Sequence, residues 1–279
     1  MRSLIDSSRR KNSVLVAGLD PVPWRFPEEL RALPEAESAR RFCTGILEAV
    51  EPYAAAIKLQ AAFFERLGPA GMEVYGDLIQ AATDLALPVI ADVKRGDIGP
   101  VAAAYAEAHL GAYGATCLTV NPYMGEDAVL PFLEEARRQD RGGGVFVLVA
   151  TSNPSASDLQ LSTDPPLFEL AARLVAELGK PQSDYPDAGA VVGVTRPEIG
   201  ARVRELLPDA LFLAPGYGAQ GGDAPGVRPL LDRRGGGVIV NSSRNILYAY
   251  ETSTADYREA AREAARRTRD ELRQAGAHL

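Results

Sequence analysis

The chain has 279 residues, a formal net charge of −7 and a sequence pI near 5.1. Its basic residues are spread along the sequence without a block of like charge, which excludes a broad nucleic-acid-binding surface and leaves only a local site for an anion. No apolar run approaches the ~20 residues needed to cross a bilayer, and residues 1–10 lack the apolar centre of a signal peptide.

Eight short apolar segments rich in Val, Ile and Leu recur along the chain. Segments of this kind are typical of parallel strands that are buried on both faces and need not alternate apolar with polar residues. In chain order they are VLVAGL at 14–19, AAIKL at 55–59, PVIADV at 88–93, TCLTV at 116–120, VFVLVA at 145–150, AVVGV at 190–194, LFLA at 211–214 and VIVN at 238–241.

Segments with helical spacing lie between these strands, among them 38–53, 72–86, 102–114, 166–178 and 254–276. The last of them is rich in Ala, Arg and Glu, and its arginines are most simply a solvated helix face. Strands that alternate with helices form βα units around a parallel sheet, and eight such units favour a closed (β/α)8 barrel. No low-complexity linker divides the sequence, so we expect a single barrel domain over 1–279.

Charged residues cluster at the end of the third predicted strand, and in such barrels the chemistry lies at the carboxyl ends of the strands. The segment ADVKRGDIG places Asp92 and Lys94 two positions apart and Asp97 just beyond. Residues i and i+2 of a strand face the same way, so Asp92 and Lys94 should point together into the barrel mouth. Lys58, on the second strand, would extend them into an alternating array of acids and bases. The alternative is a structural network, because charges inside a strand are costly unless paired.

A phosphate site is indicated after strands seven and eight, a location that recurs in this fold. Strand seven runs into PGYGAQGG at 215–222, whose glycines let backbone N–H groups approach a ligand closely. Gln220 adds a side-chain amide to this loop. Arg244 follows strand eight and can bind phosphate through two hydrogen bonds. A Gly-rich loop alone is more often a plain turn, so the prediction depends on its pairing with the arginine.

Cysteine and histidine are too scarce to form a metal cluster. The two cysteines, Cys43 and Cys117, lie far apart in apolar segments, which favours buried free thiols in a reducing compartment over a disulfide. The two histidines are His109, in a helical segment, and His278, in the tail. We therefore expect no Cys/His metal site and a cytoplasmic protein.

These segments resemble orotidine 5'-phosphate decarboxylase, in particular its bacterial group of about this length. The resemblance runs from GLDP at 18–21 to NSSRNI at 241–246, with ADVKRGDIG, NPYMGEDAV, ATSNPS and APGYGAQGG between them in the expected order. The Asp-x-Lys-x-x-Asp pattern is shared with other phosphate-binding barrels, whereas its combination with Lys58 and PGYGAQGG is more specific. The resemblance implies a carboxy-lyase that makes UMP and CO2 in pyrimidine biosynthesis, without a metal or cofactor.

The resemblance also implies a role for each site residue. Lys94 would protonate C6 of the pyrimidine, and Asp92 would lie against the substrate carboxylate. Asp97 would cross the interface of a homodimer to complete the neighbouring site. The implied substrate contacts are Asp20 and Lys58 to the ribose hydroxyls, Ser152 to the pyrimidine, Pro215 along the phosphate pocket, and Gln220 and Arg244 to the phosphate.

Two points around Asp97 stay open at this level. Asp97 could instead cap the helix that begins near Gly99, a common use of aspartate. The family pattern usually has small hydroxyl residues after Gly99, with Thr at the place of Val101, whereas this chain has Pro100 and Val101. A polar contact donated across the dimer is therefore in doubt, although Pro100 suits the first turn of a helix.

Two other functions are compatible with parts of the sequence. A related barrel enzyme that acts on a sugar phosphate with Mg²⁺ would share Asp-x-Lys-x-x-Asp, but it would carry an acid at strand two, where this chain has Lys58. A non-catalytic barrel that senses a nucleotide would tolerate loss of Asp92 or Lys94, and both are present. A sensitivity to EDTA separates the first from the decarboxylase, and UMP formation separates the second.

Overall fold

Parallel strands close into a barrel in sequence order, and β8 returns to pair with β1. The computed structural model describes residues 1–218 and 221–279. All eight predicted strands are present, so the predicted barrel is confirmed. The strands are β1 (Leu15–Gly18), β2 (Ala56–Gln60), β3 (Val89–Arg95), β4 (Cys117–Val120), β5 (Gly144–Ala150), β6 (Ala188–Val192), β7 (Phe212–Ala214) and β8 (Val238–Ser242).

Helices follow the strands and surround the barrel. Each predicted helix is present, with bounds shifted by a few residues, and α6 continues into a π-helical turn at Glu107–Ala112. Local signals set several boundaries: Asp256 accepts hydrogen bonds from two backbone N–H groups at the start of α13, and Pro100 lies in the first turn of α6. The helices are α1 (Arg2–Lys11), α2 (Glu28–Arg31), α3 (Glu35–Val50), α4 (Ala62–Glu65), α5 (Gly68–Asp84), α6 (Gly99–Ala106), α7 (Glu126–Gln139), α8 (Ala156–Gln160), α9 (Leu167–Leu178), α10 (Pro197–Leu206), α11 (Ala224–Val227), α12 (Arg244–Leu247) and α13 (Tyr257–Gln274).

Helix α1 closes the amino-terminal end of the barrel. Its apolar residues Leu4 and Ile5, together with Met1, are buried in one cluster with interior residues of the strands, among them Ile90 and Phe146. Burial of an aliphatic side chain of this size contributes roughly 1.5–3 kcal/mol relative to exposure. The interior is therefore filled at the amino-terminal end, and the space for a ligand lies at the carboxyl ends of the strands.

The two cysteines are free and buried, as predicted from the sequence. Burial raises the pKa of both the Cys43 and the Cys117 thiol, so neither is poised as a thiolate nucleophile. Across residues 1–218 and 221–279, no helix is both long and apolar enough to cross a membrane.

Candidate active site

A cavity of about 600 Å³ opens at the carboxyl ends of the strands. Of the predicted site residues that the structure describes, all but Asp97 line it, and these residues come from six strand ends. The predicted residues that line it are Asp20, Lys58, Asp92, Lys94, Ser152, Pro215 and Arg244. Gln220 lies outside the described residues.

Four charged side chains form a continuous chain across one side of this cavity. Lys58 Nζ lies 2.9 Å from Asp92 Oδ2 and 3.7 Å from Asp20 Oδ1. Lys94 Nζ donates to the other oxygen of Asp92, Oδ1, at 2.6 Å. The predicted array of alternating acids and bases is therefore present, in the order Asp20, Lys58, Asp92, Lys94.

The electrostatics of the array keep its buried centre ionised. Burial raises the pKa of Asp92, but the charges and hydrogen bonds of Lys58 and Lys94 outweigh it and hold that pKa well below its usual range. Burial likewise lowers the pKa of Lys58, and Asp20 and Asp92 outweigh it and raise that pKa. Asp92 is thus a fixed negative charge between two ammonium groups.

A bulge in β3 places Asp92 and Lys94 side by side. The ladder between β3 and β4 pairs Ala91 with Leu118 and next pairs Arg95 with Val120, so three residues of β3 face one residue of β4. Lys94 has φ 45°, in the left-handed region. Asp92 and Lys94 do point together as predicted, but the alternation of a regular strand is not the cause.

Thr119 is the β4 residue opposite this bulge, and it was not predicted as a site residue. Its Oγ1 accepts a hydrogen bond from the backbone N–H of Lys94 at 2.9 Å and donates one to Asp92 Oδ1 at 3.0 Å.

Asn241 and Gln60 are two further polar residues that line the cavity and were not predicted as site residues. Gln60 is the last residue of β2 and Asn241 is the next to last of β8. Because sites in this fold lie at the carboxyl ends of the strands, this position in the sequence could have predicted both residues.

The side of the cavity that the sequence predicts to bind phosphate is built by the segments after β7 and β8. Gly216 and Gly218 have φ 99° and 75°, which glycine adopts without strain, and Gly222 donates from its N–H to the carbonyl of Gly216 at 3.1 Å. Tyr217 anchors this turn from outside, because its hydroxyl donates to Glu271 of α13 at 2.9 Å. Arg244 is exposed at the start of α12 and forms no salt bridge with any residue that the structure describes.

The segment after β5 brings Ser152 to the cavity wall. Its neighbour Thr151 is fixed by Gln160 of α8, which accepts from the Thr151 N–H at 3.1 Å and donates to its hydroxyl at 2.6 Å. Within the described ranges no group of three or more His, Cys, Asp or Glu side chains could hold a metal ion.

Asp97 lies in the connection between β3 and α6, away from the wall of its own cavity. Its carboxylate accepts from the adjacent Ile98 N–H at 2.9 Å, and Ile98 occupies the N-cap position of α6 without a side-chain cap. The alternative that Asp97 caps this helix is therefore wrong. Ile98 and Val101, beside it, are about half exposed.

Comparisons with known proteins agree with this arrangement. The chain matches the family model described as "Orotidine 5'-phosphate decarboxylase / HUMPS family" over residues 17–263. It is 44% identical over 261 residues to the orotidine 5'-phosphate decarboxylase of Rhodopirellula baltica, covering 87% of this chain and 86% of the relative. The Deinococcus radiodurans enzyme of the same name is 40% identical over 273 residues, with 97% and 96% covered. The structure of Leishmania donovani OMP decarboxylase is similar at a TM-score of 0.80 and 31% identity, covering 98% of each chain. This chain belongs to the orotidine 5'-phosphate decarboxylase / HUMPS family.

Proposed function

We propose that this protein converts orotidine 5'-phosphate to UMP and CO2, a step of pyrimidine biosynthesis, in the cytoplasm. The observation that carries the proposal is the array of Asp20, Lys58, Asp92 and Lys94 in a cavity that is also lined by Arg244, which has no ion-pair partner in the described part of the chain. Such a cavity offers a cation for a phosphate and a separate, rigid pair of charges for a reacting centre. The curated relatives carry the name of this activity.

Lys94 is proposed as the proton donor. When the bond from C6 to the carboxylate breaks, its electron pair stays on C6, where no conjugated system accepts it. A fixed ammonium beside C6 stabilises that charge and then transfers a proton from Nζ to C6. The electron pair of the broken bond thus becomes the new C6–H bond, so no electron acceptor is required. The neutral amine regains its proton from solvent.

Asp92 is proposed to lie against the substrate carboxylate and to hold Lys94 in place. The two neighbouring ammonium groups keep the pKa of Asp92 depressed, so it stays charged when a second carboxylate approaches. Loss of CO2 relieves the repulsion between the two carboxylates. The 2.6 Å hydrogen bond from Lys94 to Asp92 fixes the ammonium at the same point.

The remaining residues are proposed to bind the parts of the substrate that do not react. Asp20 and Lys58 would hold the ribose hydroxyls, and Ser152 would bind the pyrimidine. Arg244, Pro215 and Gln220 would form the phosphate pocket. Because the phosphate is remote from C6, its binding energy can be used to orient the ring.

We also propose a homodimer in which Asp97 completes the partner's site. Asp97 is absent from the wall of its own cavity. Apolar side chains are exposed beside it at the start of α6 and on the connection after β4, and the hydrogen bond from Asn121 N to Arg95 O, at 2.7 Å, joins the ends of β3 and β4 from which these segments lead. These exposed side chains are Ile98, Val101, Tyr123 and Met124. Large apolar side chains exposed on neighbouring segments are typical of an interface between proteins.

A Mg²⁺-dependent reaction on a sugar phosphate is the second candidate, since the matched family model covers more than one activity. It is disfavoured because Lys58 occupies the strand position where an acid would serve the metal, and Lys58 is bound to Asp92. A cation there would meet an ammonium group at close range.

Loss of orotidine 5'-phosphate absorbance tests the proposal. We expect the purified protein to form UMP at the same rate with and without EDTA, because Lys94 supplies the charge that a metal would otherwise provide. Lys94→Ala, with its fold checked by circular dichroism, should abolish turnover. Activity that disappears in EDTA and returns with Mg²⁺ would contradict the decarboxylase mechanism.

A further inference from the structure

Strand β4 carries a buried hydroxyl opposite the bulge of β3, that of Thr119, which is 1% exposed. It is not part of the cavity wall, so it is not a contact for a ligand. Both of its hydrogen bonds go to β3: one from the Lys94 N–H and one to Asp92 Oδ1. Thr119 therefore joins the backbone of one charged residue to the side chain of the other.

The bulge needs such a partner because it breaks the regular ladder. Between the pairs Ala91–Leu118 and Arg95–Val120, the β4 backbone has too few groups for the three bulged residues. A buried N–H without a partner is destabilising, and the Thr119 hydroxyl takes the place of the missing carbonyl for Lys94. Lys94 also has φ 45°, a conformation that a residue with a Cβ keeps only when its surroundings hold it.

The bulge in turn determines the distance between the two charged groups. In an extended strand, residues two apart are separated by roughly 6.5 Å along the strand axis. Here the chain is compressed, and Lys94 Nζ contacts the same oxygen, Asp92 Oδ1, that accepts from Thr119. Three hydrogen bonds therefore link the Lys94 N–H, the Thr119 hydroxyl, Asp92 Oδ1 and Lys94 Nζ, and the covalent side chain of Lys94 closes the ring.

We propose that Thr119 is a positioning residue for decarboxylation, because it holds the bulge that brings Lys94 against Asp92. This inference rests on the function proposed above. Thr119 does not touch the substrate; it acts by fixing the place of the group that donates the proton. Its loss should reduce the rate of the chemical step and leave ligand binding nearly unchanged.

Thr119→Val tests this, since it keeps the shape of the side chain and removes both hydrogen bonds. We expect kcat to fall by about a hundredfold, the effect of a misplacement of about 1 Å at a reacting centre. KM for orotidine 5'-phosphate and the Kd for UMP should stay within about twofold, and Thr119→Ser should restore most of kcat. In a crystal structure of the Val variant, Lys94 should leave the left-handed region.

Thr116→Val is the matched control. Thr116 immediately precedes β4, and its Oγ1 accepts from the Val89 N–H of β3 at 3.1 Å, so it makes the same kind of bond to β3 at the end remote from the cavity. We expect no change in kcat. An equal fall in kcat for Thr119→Val and Thr116→Val would show that Thr119 has only a structural role, and it would overturn the inference. An unchanged kcat for Thr119→Val would also overturn it.

Two further results separate the possible failures. If the wild-type protein forms no UMP, the proposed function is wrong. The crystal structure of the Thr119→Val variant would still show whether Thr119 holds the bulge. Should Thr119→Val fail to fold, Thr119→Ser is compared with Thr119→Cys, whose thiol is a weak hydrogen-bonding group. Equal kcat values for Ser and Cys would then overturn the inference.

Discussion

The charged side chains of the cavity include a buried pair and an exposed cation at some distance along the chain from it. Lys58 and Asp92 are buried and bound to each other, whereas Arg244 is exposed and has no ion-pair partner among the described residues. Three cations, Lys58, Lys94 and Arg244, face two carboxylates in the cavity wall. An acidic protein can therefore attract an anionic nucleotide, because the local charge differs in sign from the net charge of −7.

Arg244→Ala should mainly weaken the binding of the phosphate. Loss of a charge-assisted hydrogen bond costs about 1.5–3 kcal/mol, so kcat/KM for orotidine 5'-phosphate should fall roughly ten- to a hundredfold. Orotidine, which lacks the phosphate, should be processed by the variant and the wild type at similar rates. Equal losses on the two substrates would show that Arg244 does not contact the phosphate.

Single residues also show how far the sequence could predict the site. Lys58, Asp92, Lys94 and Arg244 were predicted because strand ends can be located from apolar segments, and the resemblance to the family added Asp20, Ser152 and Pro215. Thr119 could not be found in this way, because its importance depends on a bulge in the neighbouring strand. A bulge arises from pairing between strands that are distant in sequence, and no local pattern in ADVKRGDIG marks it.

At the scale of elements, the strands were more predictable than the connections between them. A strand buried on both faces must be apolar along its length, which makes it visible in the sequence. The start of α6 was less visible: the sequence left open a cap by Asp97, and the helix begins after Ile98 without one. The π-helical turn at Glu107–Ala112 was not predicted, and it places His109 in a buried contact with Tyr75.

His109 should make the stability of the protein depend on pH. Burial, followed by the nearby Arg95, lowers the pKa of His109 from 6.5 to about 4. The unfolded chain therefore binds a proton between pH 6.5 and about 4 that the folded chain does not. This contribution to stability is present above pH 6.5 and is lost as the pH falls towards 4.

Denaturant unfolding of His109→Gln between pH 7 and 4 measures this contribution. The variant should lose about 3 kcal/mol less stability than the wild type over that interval, because each unit between a pKa of 6.5 and one of about 4 corresponds to about 1.4 kcal/mol. His278→Gln, which replaces the exposed histidine of the tail, is the control and should behave as the wild type. Parallel curves for His109→Gln and the wild type would show that His109 does not titrate in this range.

At the scale of the whole molecule, the cavity of one barrel is lined by most of the described residues predicted for the site, but not by Asp97. The cavity wall of one chain contains the array from Asp20 to Lys94 and the exposed cation Arg244, whereas Asp97 lies outside this wall. A symmetric dimer would present the same surface on both subunits, so each Asp97 could enter the opposite cavity. The exposed Ile98 and Val101 beside Asp97 would then be covered by the partner.

Mixing two inactive variants tests whether the site is shared. Asp97→Ala and Lys94→Ala should each be nearly inactive alone. After co-refolding, a mixed dimer has one intact site, with Lys94 from one chain and Asp97 from the other, and one site that lacks both. About half of the dimers are mixed, so activity should recover to roughly a quarter of the wild-type value.

The control for this experiment pairs Lys94→Ala with Asp92→Ala. Both residues belong to the same array, 2.6 Å apart, so no mixed dimer can contain an intact site and no activity should return. Mass spectrometry establishes that subunits have exchanged in both mixtures. Exchange without recovery in the Asp97 mixture would place Asp97 in the site of its own subunit. In that case a loop movement, rather than a partner chain, would have to bring its carboxylate to the cavity.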